Sequence, residues 1–158
     1  MVVLLRRAEE RDVPMLWDMQ VRAFKPLLEK YQDYSTNPAA EPMDKVSARF
    51  QQPFTDYYVI YADGMAAGGV RVARRKNGQC RVSPLFVLPE YQRRGIAHSA
   101  MKQLETIYSD AQWELNTILE ETGNCRLYEK LGYRRTGEYE KINERMTLVY
   151  YRKTVRSK

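Results

Sequence analysis

The sequence predicts an α/β fold in a single domain built on a mixed sheet, and three observations carry that expectation. Two hairpin dipeptides, Asp63-Gly64 and Asn77-Gly78, separate runs rich in aromatic and β-branched residues, the pattern of an antiparallel meander. A helical run over residues 96–108 stands between two apolar runs, 82–88 and 113–118. Strands joined through such a helix run parallel, with a right-handed crossover. The length of 158 residues fits one domain, which can bury about two-thirds of its unfolded surface.

Each element follows from local pattern. Residues 2–6 form a short apolar strand. Glu9, Glu10 and Asp12 precede apolar positions at Val13, Leu16, Trp17, Met19, Ala23 and Phe24, a helical spacing with acids in its first turn. Pro26 should kink or end this helix, although Leu27 and Leu28 could continue it. Residues 35–43 carry turn formers and read as a loop, followed by a short helix over 44–50. Strands over 55–61, 66–74 and 80–88 make the meander. A helix over 94–109 comes next, then a strand over 113–118. A short helix over 124–131 is closed by Gly132, and a last hairpin pairs 133–139 with 145–152. The order is β-α-α-β-β-β-α-β-α-β-β: about seven strands and four helices, with no repeats, low-complexity tracts or linkers.

Composition narrows the function classes. Hydrophobic content of 44% and charged content of 29% suit a globular protein. No apolar run approaches the roughly 18 residues of a membrane span, and the N-terminal apolar stretch is too short for a secretory signal. Cys80, Cys125 and His98 offer neither a disulfide framework nor a metal-ligand spacing, so no metal is expected and a reducing, cytoplasmic compartment is the default. The net charge of +6 suits anionic partners.

The most informative stretch is Gln92-Arg93-Arg94-Gly95-Ile96-Ala97, at a strand-to-helix junction. A glycine there lets backbone approach a ligand. The first helical turn offers N–H groups without internal partners, and with the helix dipole they form an anion site. A phosphate or pyrophosphate suits it.

This motif, with Gln92, Gly95 and Ala97 at its defined positions, resembles the signature of the GNAT superfamily of acyl-CoA-dependent N-acyltransferases. Leu85-Phe86-Val87-Leu88-Pro89-Glu90-Tyr91 looks like that family's fourth-strand ending. Leu127-Tyr128-Glu129-Lys130-Leu131-Gly132-Tyr133 looks like its last helix and turn. The resemblance is carried by motifs over residues 80–140 and by element order elsewhere. It implies a splay between the fourth and fifth strands and acetyl-CoA as cofactor. The pyrophosphate would lie on the backbone of residues 92–97, with Arg93 and Arg94 pairing with phosphates or standing solvated. Ile96 is expected in the core. The pantetheine arm would pair with backbone groups of Leu85, Phe86 and Val87. The Val87 N–H would stabilise the oxyanion. Pro84, lacking an N–H, marks a bulge that begins the splay or an irregular strand start.

Tyr128 would meet the departing thiolate. A free tyrosine has a pKa of about 10 and a thiol about 8.5, so full proton transfer is uphill by roughly 2 kcal/mol. Tyr128 therefore acts by hydrogen bonding, or its pKa is lowered locally. The family often has an asparagine seven residues before this tyrosine; Glu121 stands there instead. Asn124, one turn before Tyr128, either contacts the cofactor or caps its helix.

The acceptor is less defined. Residues 29–44 hold four acids, Glu29, Asp33, Glu41 and Asp44, against one base, Lys30, beside Tyr31 and Tyr34. Acids beside aromatics suit a small cationic amine, so Tyr31, Asp33, Tyr34 and Glu41 are the candidate acceptor residues. Asp33, Glu41, Asp44 and Ser83 are the candidates for the general base. Acetylation of a protein or peptide amine is the alternative. A third reading is RNA association through Arg71, Arg74, Arg75, Lys76, Arg134, Arg135, Arg152, Lys153, Arg156 and Lys158, beside Tyr150-Tyr151; nucleic acid is the less favoured partner. By analogy with relatives, a homodimer could pair through the strand at 147–151.

Overall fold

A computed structural model describes residues 1–154. Seven strands form one sheet: β1 (Val3–Arg7), β2 (Thr55–Ala62), β3 (Met65–Arg74), β4 (Gln79–Val87), β5 (Gln112–Ile118), β6 (Arg134–Asn143) and β7 (Met146–Thr154). The spatial order is β1-β2-β3-β4-β5-β7-β6. Every neighbouring pair is antiparallel except β4 and β5, which run parallel. Four helices flank it: α1 (Val13–Tyr31), α2 (Met43–Gln51), α3 (Ile96–Ile107) and α4 (Thr122–Lys130). This is the predicted mixed α/β architecture.

The sheet alternation sorts the core into two layers. On one face Tyr58, Ile60, Val70 and Val72 pack with Ile96, Ala100, Met101 and Leu104 of α3, with Tyr128 of α4 and with Leu131, which caps α4. On the other, Tyr57, Val59, Phe86 and Leu88 pack with Leu16, Met19 and Ala23 of α1 and Val46 of α2. Both hairpin dipeptides turn as expected: Asp63 and Gly64 have φ of 48° and 82°, and Asn77 and Gly78 have 60° and 73°, which matches the positive φ pair of a type I′ turn.

Three sequence expectations need correction. Pro26 neither ends nor interrupts α1, which runs on to Tyr31 and stops at Gln32 in a left-handed conformation. Pro26 lies on the exposed face, where the carbonyl it leaves unbonded can reach water. Beyond it, Leu27 and Tyr31 pack against Ile118, Met146 and Leu148, so tertiary burial carries the helix past the proline. The loop at 35–43 contains a short 3₁₀ turn, Pro38–Ala40, capped by Asn37. Finally, β7 is bonded by β5 on one side and β6 on the other. It has no free edge for pairing across a dimer; the sheet edges are β1 and β6.

The central strands approach closely. A Cβ on Gly68 of β3 would lie 2.1 Å from the Phe86 carbonyl oxygen of β4. The Gly68→Ala variant should therefore lose about 2 kcal/mol of stability, the usual scale of overpacking, read by urea denaturation.

Candidate active site

The site begins where β4 and β5 stop pairing. Their parallel ladder joins Gln79, Cys80 and Arg81 to Gln112, Trp113 and Glu114. Past that rung the strands part into a wedge. On its other side β4 changes register: Val82 faces Val72, but Leu85 faces Val70. Ser83 and Pro84 thus stand opposite Arg71 as a bulge, which bends a strand and raises its twist. Pro84 has no N–H to extend the ladder. Of the two readings of Pro84, the bulge is the one observed.

Backbone direction beyond the bulge follows from alternation. The Leu88 N–H donates to the Ala67 carbonyl at 2.8 Å, and the Phe86 carbonyl points at β3. Residues 85 and 87 must then point the other way, into the wedge. The Val87 carbonyl confirms it, accepting from the Gln92 side-chain amide at 2.9 Å. Leu85 and Val87 therefore present backbone groups to the wedge, and Phe86 does not. The expectation that all three share one pairing edge is corrected for Phe86. Its ring is buried on the α1 side, edge-on to Phe24 at 6.1 Å.

The Gln92–Ala97 segment turns from Val87 into α3. Gly95 has φ of 80° as the residue preceding the helix, a conformation that disfavours any Cβ. The space beside it is open: a Cβ there meets no atom within 4 Å. The first helical bond in this region runs from the Ser99 N–H to the Gly95 carbonyl, leaving the N–H groups of residues 96–98 without intrahelical acceptors. Helix α3 starts at Ile96, two residues later than the sequence suggests, because residues 92–95 form this turn. Arg94 lies over the Tyr91 ring at 5.8 Å, and Arg93 is exposed with φ of 64°. Ile96 is buried in the core, as expected.

Tyr128 is buried on α4, with its ring 5.8 Å from that of Tyr133 and 6.1 Å from that of Tyr151. Burial, aided by Cys125, raises its pKa well above the ordinary value. This direction runs against a locally lowered pKa and favours a protonated hydroxyl, which can donate a hydrogen bond. Asn124 is exposed and is the third residue of α4, so it is not the cap; Glu121 holds that position. Glu121, which the sequence marked only as a departure from the asparagine pattern, gathers a cluster. Its carboxylate accepts from the Tyr31 hydroxyl and, at 2.8 Å, from Lys30. Burial would raise the Glu121 pKa, but these two partners hold it below the usual range. This contact joins the end of α1 to the start of α4.

The acidic segment is largely committed to its own structure. Asp33 is buried, and its carboxylate accepts from the Ser35 N–H and hydroxyl at 3.2 and 3.0 Å, from the Thr36 N–H at 3.0 Å, and from the Thr36 hydroxyl. Glu41 is paired with Arg49 and accepts from Gln20 at 3.0 Å. Tyr34 is exposed, and its hydroxyl donates to Gln32. Asp44 is exposed in the first turn of α2, and Ser83 sits in the bulge. Of the basic residues, Arg74 pairs with Asp56 and Lys153 with Glu105; Arg156 and Lys158 lie outside the described residues. No metal-binding cluster of His, Cys, Asp or Glu occurs among the described residues. None of their helices is long and apolar enough to cross a membrane.

A parallel wedge between β4 and β5, beside a left-handed glycine that opens α3, defines an acetyltransferase fold of the GNAT class. The family model described as "Acetyltransferase (GNAT) domain" matches residues 28–155, and the chain belongs to that family. It is 34% identical over 131 residues to the uncharacterized protein YrkN of Bacillus subtilis (strain 168), covering 80% of this chain and 69% of that one. Among solved structures, it superposes on the ribosomal-protein-S18-alanine N-acetyltransferase of Escherichia coli with a TM-score of 0.78 at 14% identity, covering 99% and 96% of the two chains. A ribosomal L7/L12 alpha-N-protein acetyltransferase in complex with coenzyme A gives a TM-score of 0.76 at 16% identity, covering 98% and 95%.

The Asp33 turn carries a pH signature. Burial alone would raise its pKa, but the bonds from Thr36 and Ser35 lower it below the ordinary value. Its stabilisation is full above the unfolded pKa of about 3.9 and is lost as pH falls through the lower folded value. Denaturation curves should show a shallower loss of stability below about pH 4 for Asp33→Asn than for the wild type.

Proposed function

We propose that this acetyltransferase moves the acetyl group of acetyl-CoA directly to a primary amine of a peptide or protein, both substrates being bound together. The wedge past the Arg81–Glu114 rung is the observation that carries the reading. It leaves backbone groups of Leu85 and Val87 free of β5 and aims them at a thioester arm. Acetyl-CoA supplies that thioester. The Val87 N–H donates to the carbonyl oxygen as negative charge develops there, and Gln92 holds the Val87 carbonyl so that this N–H keeps its aim. The open space at Gly95 and the free N–H groups of residues 96–98 suit a diphosphate, with Arg93 and Arg94 adding charge and Asn124 a polar contact one turn before Tyr128. Tyr128, protonated, donates a hydrogen bond to the leaving thiolate.

The acceptor follows from what the acidic segment no longer offers. Asp33 and Glu41 were the groups expected to attract a small cationic amine, and both are saturated by internal partners. The alternative, a peptide or protein amine, is favoured instead. Two structural neighbours, the enzymes named for ribosomal proteins S18 and L7/L12, are consistent with it. Free cysteines and acetyl-CoA use fit a cytoplasmic setting.

Thiol release from acetyl-CoA should be detected with peptides bearing free amines. Turnover of polyamines or aminoglycosides in preference to peptides would overturn the acceptor reading. The Tyr128→Phe variant should lower kcat by about a hundredfold with little change in KM, the scale of one lost proton donor. Gly95→Val should raise KM for acetyl-CoA about tenfold, as its side chain is forced into an unfavourable φ and into the phosphate space.

A further inference from the structure

A cleft of about 470 Å³ opens on the β3–β4 hairpin, lined by Phe54, Arg71, Arg74, Arg75, Lys76 and Arg81. No acidic side chain lines it. The carboxylates nearby include Asp56, which Arg74 shares with Arg7, Glu114, which Arg75 and Arg81 share, and Asp110, which lies with Arg74 and Arg75 on the adjoining side of the hairpin. Even with all three counted, these carboxylates are fewer than the five lining cations and Arg7, leaving a positive excess.

Arg71 sharpens the case. It donates to the Ser83 carbonyl and to Gln52, both at 2.9 Å, and its Nε is buried without a partner. Burial, and then the charges of Arg49, Arg81 and Arg75, lower its pKa against the opposing pull of Tyr57. A guanidinium held among other cations with no carboxylate of its own is costly, and an anionic occupant of the cleft would offset that cost. Phe54, 43% exposed, gives the rim an apolar surface.

The cleft adjoins the closed end of the wedge. Arg81 belongs to the last rung of the β4–β5 ladder, and Arg71 bonds the bulge that opens it. Leu85 and Val87 are four and six residues further along β4, or about 13–20 Å at the usual strand rise. A compact amine does not reach across that span, and a long polyamine would bring like charge into the cationic cleft. An extended peptide covers it in about four to six residues.

We infer that this cleft binds acidic side chains of the acceptor polypeptide, some four to six residues from the amine that is acetylated. The inference rests on the acetyl-transfer reading above and narrows it to an acidic peptide segment. Binding is electrostatic, so it weakens as salt shortens the screening length.

The test uses the full chain and two peptides, each with a free N-terminus, four neutral residues and a C-terminal fluorophore. One carries four glutamates after the neutral residues and the other four glutamines. By fluorescence anisotropy at low salt the acidic peptide should bind about tenfold more tightly or better. The Arg75→Gln/Lys76→Gln variant should erase that gap without altering its melting temperature, since both side chains are exposed. In turnover the gap should appear in KM and not in kcat. Equal affinity for the two peptides, or a gap that survives in the variant, overturns the inference. So does a single-stranded oligonucleotide that binds more tightly than the acidic peptide and is lost in the same variant; the cleft is then a nucleic-acid surface. Binding of the acidic peptide with no thiol release from any peptide marks failure of the acetyl-transfer reading. Peptide turnover with no acidic preference marks failure of the cleft alone.

Discussion

Two adjacent parallel strands normally stay paired along their length, because every buried N–H and carbonyl needs a partner. Here the pairing of β4 with β5 ends after three residues, and the rest of the site depends on that break. The bulge at Ser83 and Pro84 removes a donor and shifts the phase of β4 against β3. From there the backbone alternates between a filled side and an open one. Phe86 and Leu88 bond toward β3; Leu85 and Val87 face the gap. The contact of β4 with β3 is correspondingly tight, with glycine at both Gly68 and Gly69 where a Cβ would strike Phe86. Gln92 then takes the Val87 carbonyl, so the turn into α3 is tied to the same strand it follows.

Around this break four carboxylates, those of Asp33, Glu41, Asp56 and Glu121, are committed to internal partners. Asp56 is buried, yet it meets Arg7 at 2.6 Å, Arg74 at 3.0 Å and the Tyr108 hydroxyl at 2.5 Å. Asp33 builds a turn, Glu41 joins α2 to the loop, and Glu121 joins α1 to α4. Buried charges survive when paired and fully hydrogen-bonded. The consequence for function is electrostatic: with these four acids paired internally, the net positive charge is left less opposed, and the β3–β4 cleft is one place where it gathers.

Much of this was legible in the residues. The hairpin dipeptides, the helical run after the fourth strand and the Gln92–Ala97 turn each obey local rules, so order, strand count and the left-handed glycine before α3 could be read directly. Pro26 misled because local propensity speaks only of the lost hydrogen bond, while Leu27 and Tyr31 are held by packing that comes from Ile118 and Met146 far along the chain. Phe86 misled because three consecutive residues on a strand cannot share one edge. Asp33 and Glu41 looked like free acids because their partners, two neighbouring hydroxyls and Arg49, are visible only once the loop is folded.

The sequence by itself determined the periodicities: which runs alternate, which turn, and where a glycine must take a left-handed φ. These are properties of adjacent residues, and adjacency is all that a sequence states. Only the tertiary structure decided which charges are spent and which remain. Whether a carboxylate is neutralised depends on a cation brought within about 4 Å, and that distance is set by the packing of elements remote in the chain. The same holds for the reach from the Arg81 rung to Val87, which the sheet lays out along one strand and the cationic cleft prolongs.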